Sequence, residues 1–443
     1  MLDVSTPLPR PSVQSFMKSS NPAKTAFKAA KACELHWGRL SVAQFLAQYW
    51  QQKPMVLRQF VSPSAVDSSL DNLLAYAARD DIASRLIRCR HKDWTMQEGP
   101  FDRLPSIRGK QWTILLQGMD RNHEQAYGLR MSFDFLAHAR IDDVMISVAA
   151  TGGGVGPHLD EYDVFLVQGV GRRRWQWGYQ REQSFQPDKP LKLLRQFTPQ
   201  CEAILEPGDA LYLPPRWAHD GLALEPCSTW SVGFRAPSRH EFLQHFLIEA
   251  AESLLGPNPR YQDKGVRASK RAGRIPEKLA RQLKQWAQDF RSDKRVFEQA
   301  LGRYLSEPAS NAWFEGPRKL PTKHHWLAQA LRRGVALHPS SRMVYDSRRA
   351  WLNGEDAGPP NDLLRALADQ RYVQAAQLKH GFAAMMTNDL SNTPTRNLNV
   401  VTKPQDASEC KKTVEFQPLI DQLFDWYLQG WIAFCSEKHS QRL

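Results

Sequence analysis

The chain has 443 residues with a formal charge of +13, and its 42% hydrophobic and 24% charged content is that of a soluble globular protein with room for two or three domains. No run approaches about 18 consecutive apolar residues and no apolar h-region opens the chain, so neither a membrane span nor a secretory signal is expected. The basic excess suits a polyanionic neighbour such as nucleic acid or a nucleic-acid-rich particle, and equally a solvated basic surface.

Residues 1–33, rich in Ser, Lys and Pro and without acids from residue 4 on, read as a disordered basic tail. Apolar side chains at helical spacing over 41–51 predict a helix, ended by Pro54 before a short strand, MVLRQF. A second helix is expected over 64–79, where Val66, Leu70, Leu73, Leu74 and Ala77 form one stripe.

From about 111 to 235 the pattern changes to short β-rich runs between turn signals: QWTILLQG, DVMISVAA, YDVFLVQG, RRRWQWG, CEAILEPGD, ALYLPP and STWSVGF. Glu-Pro-Gly-Asp at 206–209 is a tight turn between two strands, and Pro214-Pro215 closes the second. This spacing predicts a double-stranded β-helix, a cupin-like jelly roll. Residues 240–255 and 276–304 then read as amphipathic helices, anchored in the latter by Leu279, Leu283, Trp286, Phe290 and Phe297. A small α+β domain is expected around 324–383, a flexible insertion over 384–412, and a closing helix over 416–434. The six cysteines (33, 89, 201, 227, 410 and 435) are scattered without a C-x-x-C pair, which suits reduced thiols in a cytoplasm rather than disulfides or a zinc site.

A non-haem iron oxygenase needs two neutral imidazoles and one carboxylate on one face of the metal, leaving the other positions open. On a jelly roll that takes H-x-D or H-x-E, with both ligands on one side of a strand, and a later His from across the barrel. With 13 histidines, about one such triplet is expected by chance, and there are two. His91-Lys92-Asp93 lies in the basic run RCRHKDW with no jelly-roll partner after it. His158-Leu159-Asp160 follows GGGVGP inside the β-rich region, and His219 in LPPRWAHDG stands where a jelly roll presents its last ligand. A 2-oxoglutarate co-substrate would further require a fixed cation for its distal carboxylate. The run GVGRRRW offers Arg172, Arg173 and Arg174, of which alternation turns either Arg173 or its two neighbours inward.

The stretch IDDVMISVAATGGGVGPHLDEYDVFLVQGVGRRRWQWG, with PGDALYLPPRWAHDG and STWSVGFRAPS, closely resembles the JmjC-fold ribosomal oxygenases. It is most similar to their bacterial branch, which hydroxylates an arginine of large-subunit ribosomal protein L-sixteen. FLAQYWQQKPMVLRQF, the LNGE at 352–355 and FDWYLQGWIAF extend the likeness over 34–383 and 413–434. The resemblance implies that His158, Asp160 and His219 ligate Fe(II), with 2-oxoglutarate and O2 as co-substrates. It selects Arg173 for the distal carboxylate, with Ser231 as a weaker second contact. It also implies a catalytic domain over 34–240, a helical dimerisation region over 241–305, and a winged-helix-like domain over 306–443 that contains the insertion. A homodimer, a ribosomal protein substrate and a cytoplasmic setting follow; a basic winged helix does not by itself establish nucleic-acid contact. The tail and the insertion depart from the family pattern outside the catalytic motifs.

An arginine substrate calls for acidic and aromatic groups at the pocket mouth, and Glu161, Tyr162, Asp163 and Asp220 flank the ligands in sequence. The competing readings are the same chemistry on histidine or a methylated lysine, and a non-catalytic metal-binding cupin acting as a sensor.

Overall fold

The computed structural model describes residues 32–91, 93–252, 277–289, 294–388 and 417–435. All but the last two residues of the expected N-terminal tail, and the insertion from residue 389 on, lie outside these ranges.

Helix α1 (Val42–Gln48) starts at Ser41, whose hydroxyl accepts the Gln44 N–H while the Gln44 side chain accepts the Ser41 N–H, a reciprocal cap. Strand β1 (Met55–Leu57) follows. The helix expected over 64–79 is shorter: α2 (Leu70–Ala75) begins at its own cap, Ser69, and short 3-10 turns at Pro63–Ala65 and Tyr76–Ala78 flank it. Next come β2 (Ser84–Arg90), β3 (Asp93–Glu98), β4 (Trp112–Leu116), α3 (Glu124–Met131) and β5 (Ile141–Ala149). They are followed by β6 (Asp163–Gln168), β7 (Arg173–Tyr179), β8 (Cys201–Leu205), β9 (Ala210–Leu213), β10 (Trp217–Ala223) and β11 (Cys227–Phe234).

These strands form the expected jelly roll: an eight-stranded sheet in the order β1-β9-β6-β11-β5-β4-β2-β3 faces a three-stranded sheet, β10-β7-β8. Strand alternation gives the large sheet two different faces. Val144, Ile146 and Val148 of β5, with Trp230, Val232 and Phe234 of β11, join Phe45, Phe60, Phe133, Phe165 and Tyr212 in the main core. Each such side chain contributes roughly 1.5–3 kcal/mol through removal of apolar surface from water. The alternate residues, Asp143, Met145 and Ser147 of β5 and Thr229, Ser231 and Gly233 of β11, line the space between the two sheets.

Helix α4 (Arg239–Glu252) leaves the jelly roll. The 276–304 segment carries α5 (Glu277–Asp289) and α6 (Lys294–Ser306), with Phe290 outside the described residues. Phe297 of α6 packs edge-on against Phe242 of α4 at 5.7 Å, and Arg303 reaches Glu249 at 3.0 Å. A second core, including Trp326, Leu363, Leu367 and Trp426, holds the C-terminal domain together. It contains α7 (Lys323–Arg333), β12 (Val335–Leu337), β13 (Met343–Tyr345), β14 (Ala350–Leu352), β15 (Glu355–Gly358) and α8 (Asp362–Gln370). It is completed by β16 (Tyr372–Val373), α9 (Ala375–Asn388), α10 (Gln417–Leu428) and β17 (Ile432–Phe434), in sheets ordered β16-β12-β17 and β13-β14-β15.

Two expectations change here. Residues 384–388, assigned to the insertion, continue α9, since their Ala and Met are good helix formers. The helix expected to run to 434 ends at Leu428, because Gly430, at φ +76°, reverses the chain and β17 pairs with β12.

Candidate active site

The segment 150–158 runs beside β10, and its glycines are what allow the approach. A Cβ on Gly153 would meet the Trp112 carbonyl oxygen at 2.2 Å, and one on Gly154 the Gly221 carbonyl oxygen at 2.5 Å. The run ends in a reciprocal backbone pair, His158 N–H to His219 C=O at 3.1 Å and His219 N–H to His158 C=O at 2.9 Å. The two imidazoles therefore lie side by side, with ring centroids 4.2 Å apart. Asp160 completes the group, its Oδ2 lying 3.8 Å from His219 Nε2. One ligand atom from each of the three lies within 4.8 Å of the others, and among the described residues no other group of three or more His, Cys, Asp or Glu side chains has this geometry.

The protonation states suit a cation. His158 Nδ1 donates to the Gly156 carbonyl at 2.9 Å and His219 Nδ1 to the Trp217 carbonyl at 3.0 Å. Both Nε2 lone pairs are thereby left free as ligands. Burial, followed by the proximity of His158, pushes the His219 imidazolium down to about 4, so the ring is neutral at physiological pH. His91, in the competing triplet, is exposed at the β2–β3 turn, and Asp93 turns to Lys189 at 3.9 Å.

A cavity of about 490 Å³ opens beside the three side chains. On β7, Arg173, Trp175 and Trp177 face inward, while Arg172 and Arg174 turn out to Glu225 at 3.1 Å and Glu202 at 4.0 Å. Arg173 is only 3% exposed. Its Nη2 touches Cys227 Sγ at 3.7 Å, its Nε has no hydrogen-bond partner, and no ion-pair partner for it lies among the described residues. A buried guanidinium without an anion is costly, and a carboxylate would be its natural bidentate partner. Ser231 lines the same cavity from β11, opposite Met145 of β5. Trp175 lies across Gly221 of β10, where a Cβ would come within 2.6 Å of the indole.

The acids expected at the mouth separate. Asp163 is fully buried on the opposite, core face, held by the Tyr212 hydroxyl at 2.6 Å and the Gln51 amide at 2.9 Å, and has a structural role. Asp220 faces away from the cavity on β10, and Glu161 is exposed outside it; of the four residues only Tyr162 lines the cavity. The acid that does line it is Asp143, together with its neighbour Asp142. Asp143 Oδ2 accepts the Gln117 amide at 2.7 Å and the Gly118 N–H at 2.9 Å. A Cβ on Gly233 would stand 3.7 Å from Tyr162 and 4.0 Å from Asp143 Oδ1, so the missing side chain leaves a slot between phenol and carboxylate. Asp143 was legible only through the alternation of DDVMIS, which puts it on the same face as Met145 and Ser147.

A jelly roll with two histidines and an aspartate beside a buried arginine has the donor set of the non-haem iron oxygenases, and a JmjC domain profile matches residues 128–242. A ROXA-like winged-helix profile matches residues 289–392. The chain is 33% identical to the ribosomal protein uL16 3-hydroxylase of Escherichia coli over 76% of its own length and 91% of that protein. It is 30% identical to a probable ribosomal oxygenase of Haemophilus influenzae, over 61% of this chain and 69% of that one. A solved structure of YcfD, a ribosomal oxygenase from E. coli in complex with cobalt and 2-oxoglutarate, superposes with a TM-score of 0.70 at 27% identity, covering 91% of this chain and 99% of that one. The chain belongs to the ribosomal oxygenase family.

Proposed function

We propose that the protein is an Fe(II)- and 2-oxoglutarate-dependent hydroxylase of a ribosomal protein, with uL16 (the L-sixteen protein) as substrate and an arginine as its target. The observation that carries this reading is the convergence of the His158, Asp160 and His219 ligand atoms and the unpaired, buried Arg173 on one cavity. Its likeness to the uL16 3-hydroxylase and to the cobalt- and 2-oxoglutarate-bound relative supports it.

His158, Asp160 and His219 supply two neutral nitrogens and one carboxylate oxygen, the donor set suited to a facial Fe(II) site. Bound iron and 2-oxoglutarate supply the oxidising power, as O2-dependent decarboxylation to succinate drives insertion of one oxygen atom into a C–H bond. The chain's own residues bind and orient. Arg173 receives the distal carboxylate, Ser231 offers it a hydroxyl, and Trp175 and Leu166 exclude water around it. On the opposite wall, Asp143 Oδ1 offers an acceptor to a guanidinium and Tyr162 and Met145 flank its aliphatic stem. A buried carboxylate facing an open slot favours arginine over a neutral imidazole or a methylated lysine.

The same reading assigns a homodimer to the helical region. Leu243, Leu247 and Ile248 form an exposed apolar stripe on α4, while its Phe242 and Phe246 are turned to α6. A ribosomal protein substrate places the enzyme in the cytoplasm. Among the described residues no helix is long and apolar enough to cross a membrane.

The test is mass spectrometry of recombinant uL16 after incubation with the enzyme, Fe(II), 2-oxoglutarate and ascorbate, beside a His158→Ala control. A gain of about 16 Da on one arginine, absent in the control, is expected. Succinate without a mass gain overturns the substrate; neither succinate nor gain overturns the enzyme and favours a metal-binding sensor.

A further inference from the structure

Resting on the assignment of Asp143 to the substrate guanidinium, the geometry points to Arg342 of the C-terminal domain as a positioning residue that stands in for a missing strand neighbour of β5 and thereby holds the backbone from which Asp143 enters the cavity.

Even-numbered residues of β5 and its extension direct their in-plane N–H and C=O groups toward β4, as the Ala150 N–H does to the Trp112 carbonyl at 3.1 Å. The β4 pairing stops at Leu116, opposite Ile146. Val144 is the next residue whose groups point that way, and beyond it, where the alternation lapses, the Asp142 carbonyl is also left without a ladder partner; among the described residues no strand meets either. Two side chains take its place. Asp120, in the turn after β4, accepts the Val144 N–H at 3.1 Å. Arg342 donates through Nη2 to the Asp142 carbonyl at 3.1 Å and to Asp142 Oδ1 at 3.2 Å. Asp143 lies between these two attachment points.

The other edge of β5 is also weak at this place. Its register with β11 shifts between Val232 and Phe234, which pair with Val144 and Ile141. Two steps on β11 therefore span three on β5, a bulge at Asp142 and Asp143. With a bulge on one side and no strand on the other, the backbone that presents Asp143 is held by Asp120 and Arg342, while Gln117 and Gly118 hold its Oδ2 directly.

Arg342 is itself held firmly. Its backbone N–H donates to Asn353 Oδ1 at 2.9 Å, Nη1 reaches the Glu307 carbonyl at 3.5 Å, and its side chain is 13% exposed. It does not line the cavity, so any effect on substrate passes through β5. The C-terminal domain thus contributes to substrate selection without touching substrate.

The experiment compares Arg342→Ala, Arg342→Lys, Asp142→Asn and Asp143→Asn in the full chain. It uses anaerobic calorimetric titration of the Fe(II)- and 2-oxoglutarate-loaded protein with recombinant uL16, where no turnover occurs, beside steady-state KM values for both substrates. Arg342→Ala is expected to weaken uL16 binding about tenfold while shifting the KM for 2-oxoglutarate by less than about twofold. Arg342→Lys should recover part of the loss, and Asp142→Asn, which keeps the carbonyl acceptor, should lose less than Arg342→Ala; these two also serve if the alanine variant does not fold. Unchanged uL16 affinity in Arg342→Ala, with Asp143→Asn impaired, overturns the inference and leaves the substrate reading standing. An equal loss for both substrates also overturns it, because a general structural role predicts that. Undiminished uL16 binding by Asp143→Asn overturns the substrate reading, and the inference falls with it.

Discussion

Replacing Asp143 by Asn removes a charge from a place where the fold alone has no use for it. Burial, then the nearby carboxylates of Asp120 and Asp142, push the Asp143 carboxyl from 3.8 up to about 6, against the Gln117 hydrogen bond that lowers it. A folded-state value above the unfolded one means the native state binds the proton more tightly, so the fold loses stability as pH rises from about 4 to about 6 and keeps that loss above it. Below the unfolded value the group is protonated in both states and contributes nothing. The difference corresponds to at most about 3 kcal/mol at neutral pH. Asparagine matches the shape, and its carbonyl can still accept the Gln117 and Gly118 donors. The variant should therefore be more stable than the parent in urea unfolding at pH 7.5, with the gap closing as pH falls from 6 toward 4. It should also bind uL16 about a hundredfold more weakly, as expected for removal of one partner of a desolvated charge pair. A variant no more stable than the parent at pH 7.5 would refute the electrostatic reasoning. Undiminished affinity would refute the role.

The Arg173→Met variant should raise the KM for 2-oxoglutarate about a hundredfold by steady-state assay, because the bidentate partner is lost. In the absence of 2-oxoglutarate its unfolding midpoint should not fall, since a buried, unpaired cation is replaced by an apolar side chain of similar length. Gly221→Ala should cost about 1–3 kcal/mol in thermal unfolding, because the new methyl meets Trp175 at 2.6 Å and the indole or the β10–β7 ladder must yield. His158→Ala should abolish stoichiometric Fe(II) binding by metal titration while preserving the backbone pair with His219 and hence the circular-dichroism spectrum. Leu247→Glu with Ile248→Glu should yield a monomer in sedimentation at micromolar concentration, as two charges on the apolar stripe oppose its burial.

The jelly roll was legible because its strands alternate strongly and its turns are marked by Gly and Pro, as in STWSVGF and Glu-Pro-Gly-Asp. Strand β10, which carries His219, was not read as a strand: WAHDGLA has no β-branched residue and contains Gly221, a gap that makes sense only once Trp175 is seen lying across it. The β2–β3 hairpin was hidden for a different reason: arginines interrupt the apolar pattern of SRLIRCR, and DWTMQE is the exposed edge strand of the sheet. The His158, Asp160 and His219 cluster was readable from its place in the β-rich region rather than from spacing, which His91-Lys92-Asp93 meets equally. The substrate wall was not, because adjacency in sequence misled: Asp163 is near the ligands in the chain, yet its parity on β6 sends it into the core. Asp143 is 15 residues before His158 in the sequence yet faces the same cavity.

The parity argument extends to how the two sheets divide the work. His219, Arg173 and Trp175 all project from the small sheet, on β10 and β7, so one of the three clustered ligand side chains and the buried cation share one antiparallel strand pair whose register sets His219 opposite Trp177 and Ala223 opposite Arg173. Asp143 and Met145 project from β5 in the large sheet, and the covering of that edge comes from the turn after β4 and from Arg342. Ser231, also on the large sheet, lines the same cavity. On the proposed roles, the co-substrate cation stands on the small sheet and the slot for the target side chain at the end of β5, so substitutions at 142–145 should alter which residue is accepted while leaving His158, Asp160 and His219 in place. This separation is a physical reason why one jelly roll can serve different target residues: the costly elements, a dry metal site and a buried cation, stay fixed while a single strand end is varied.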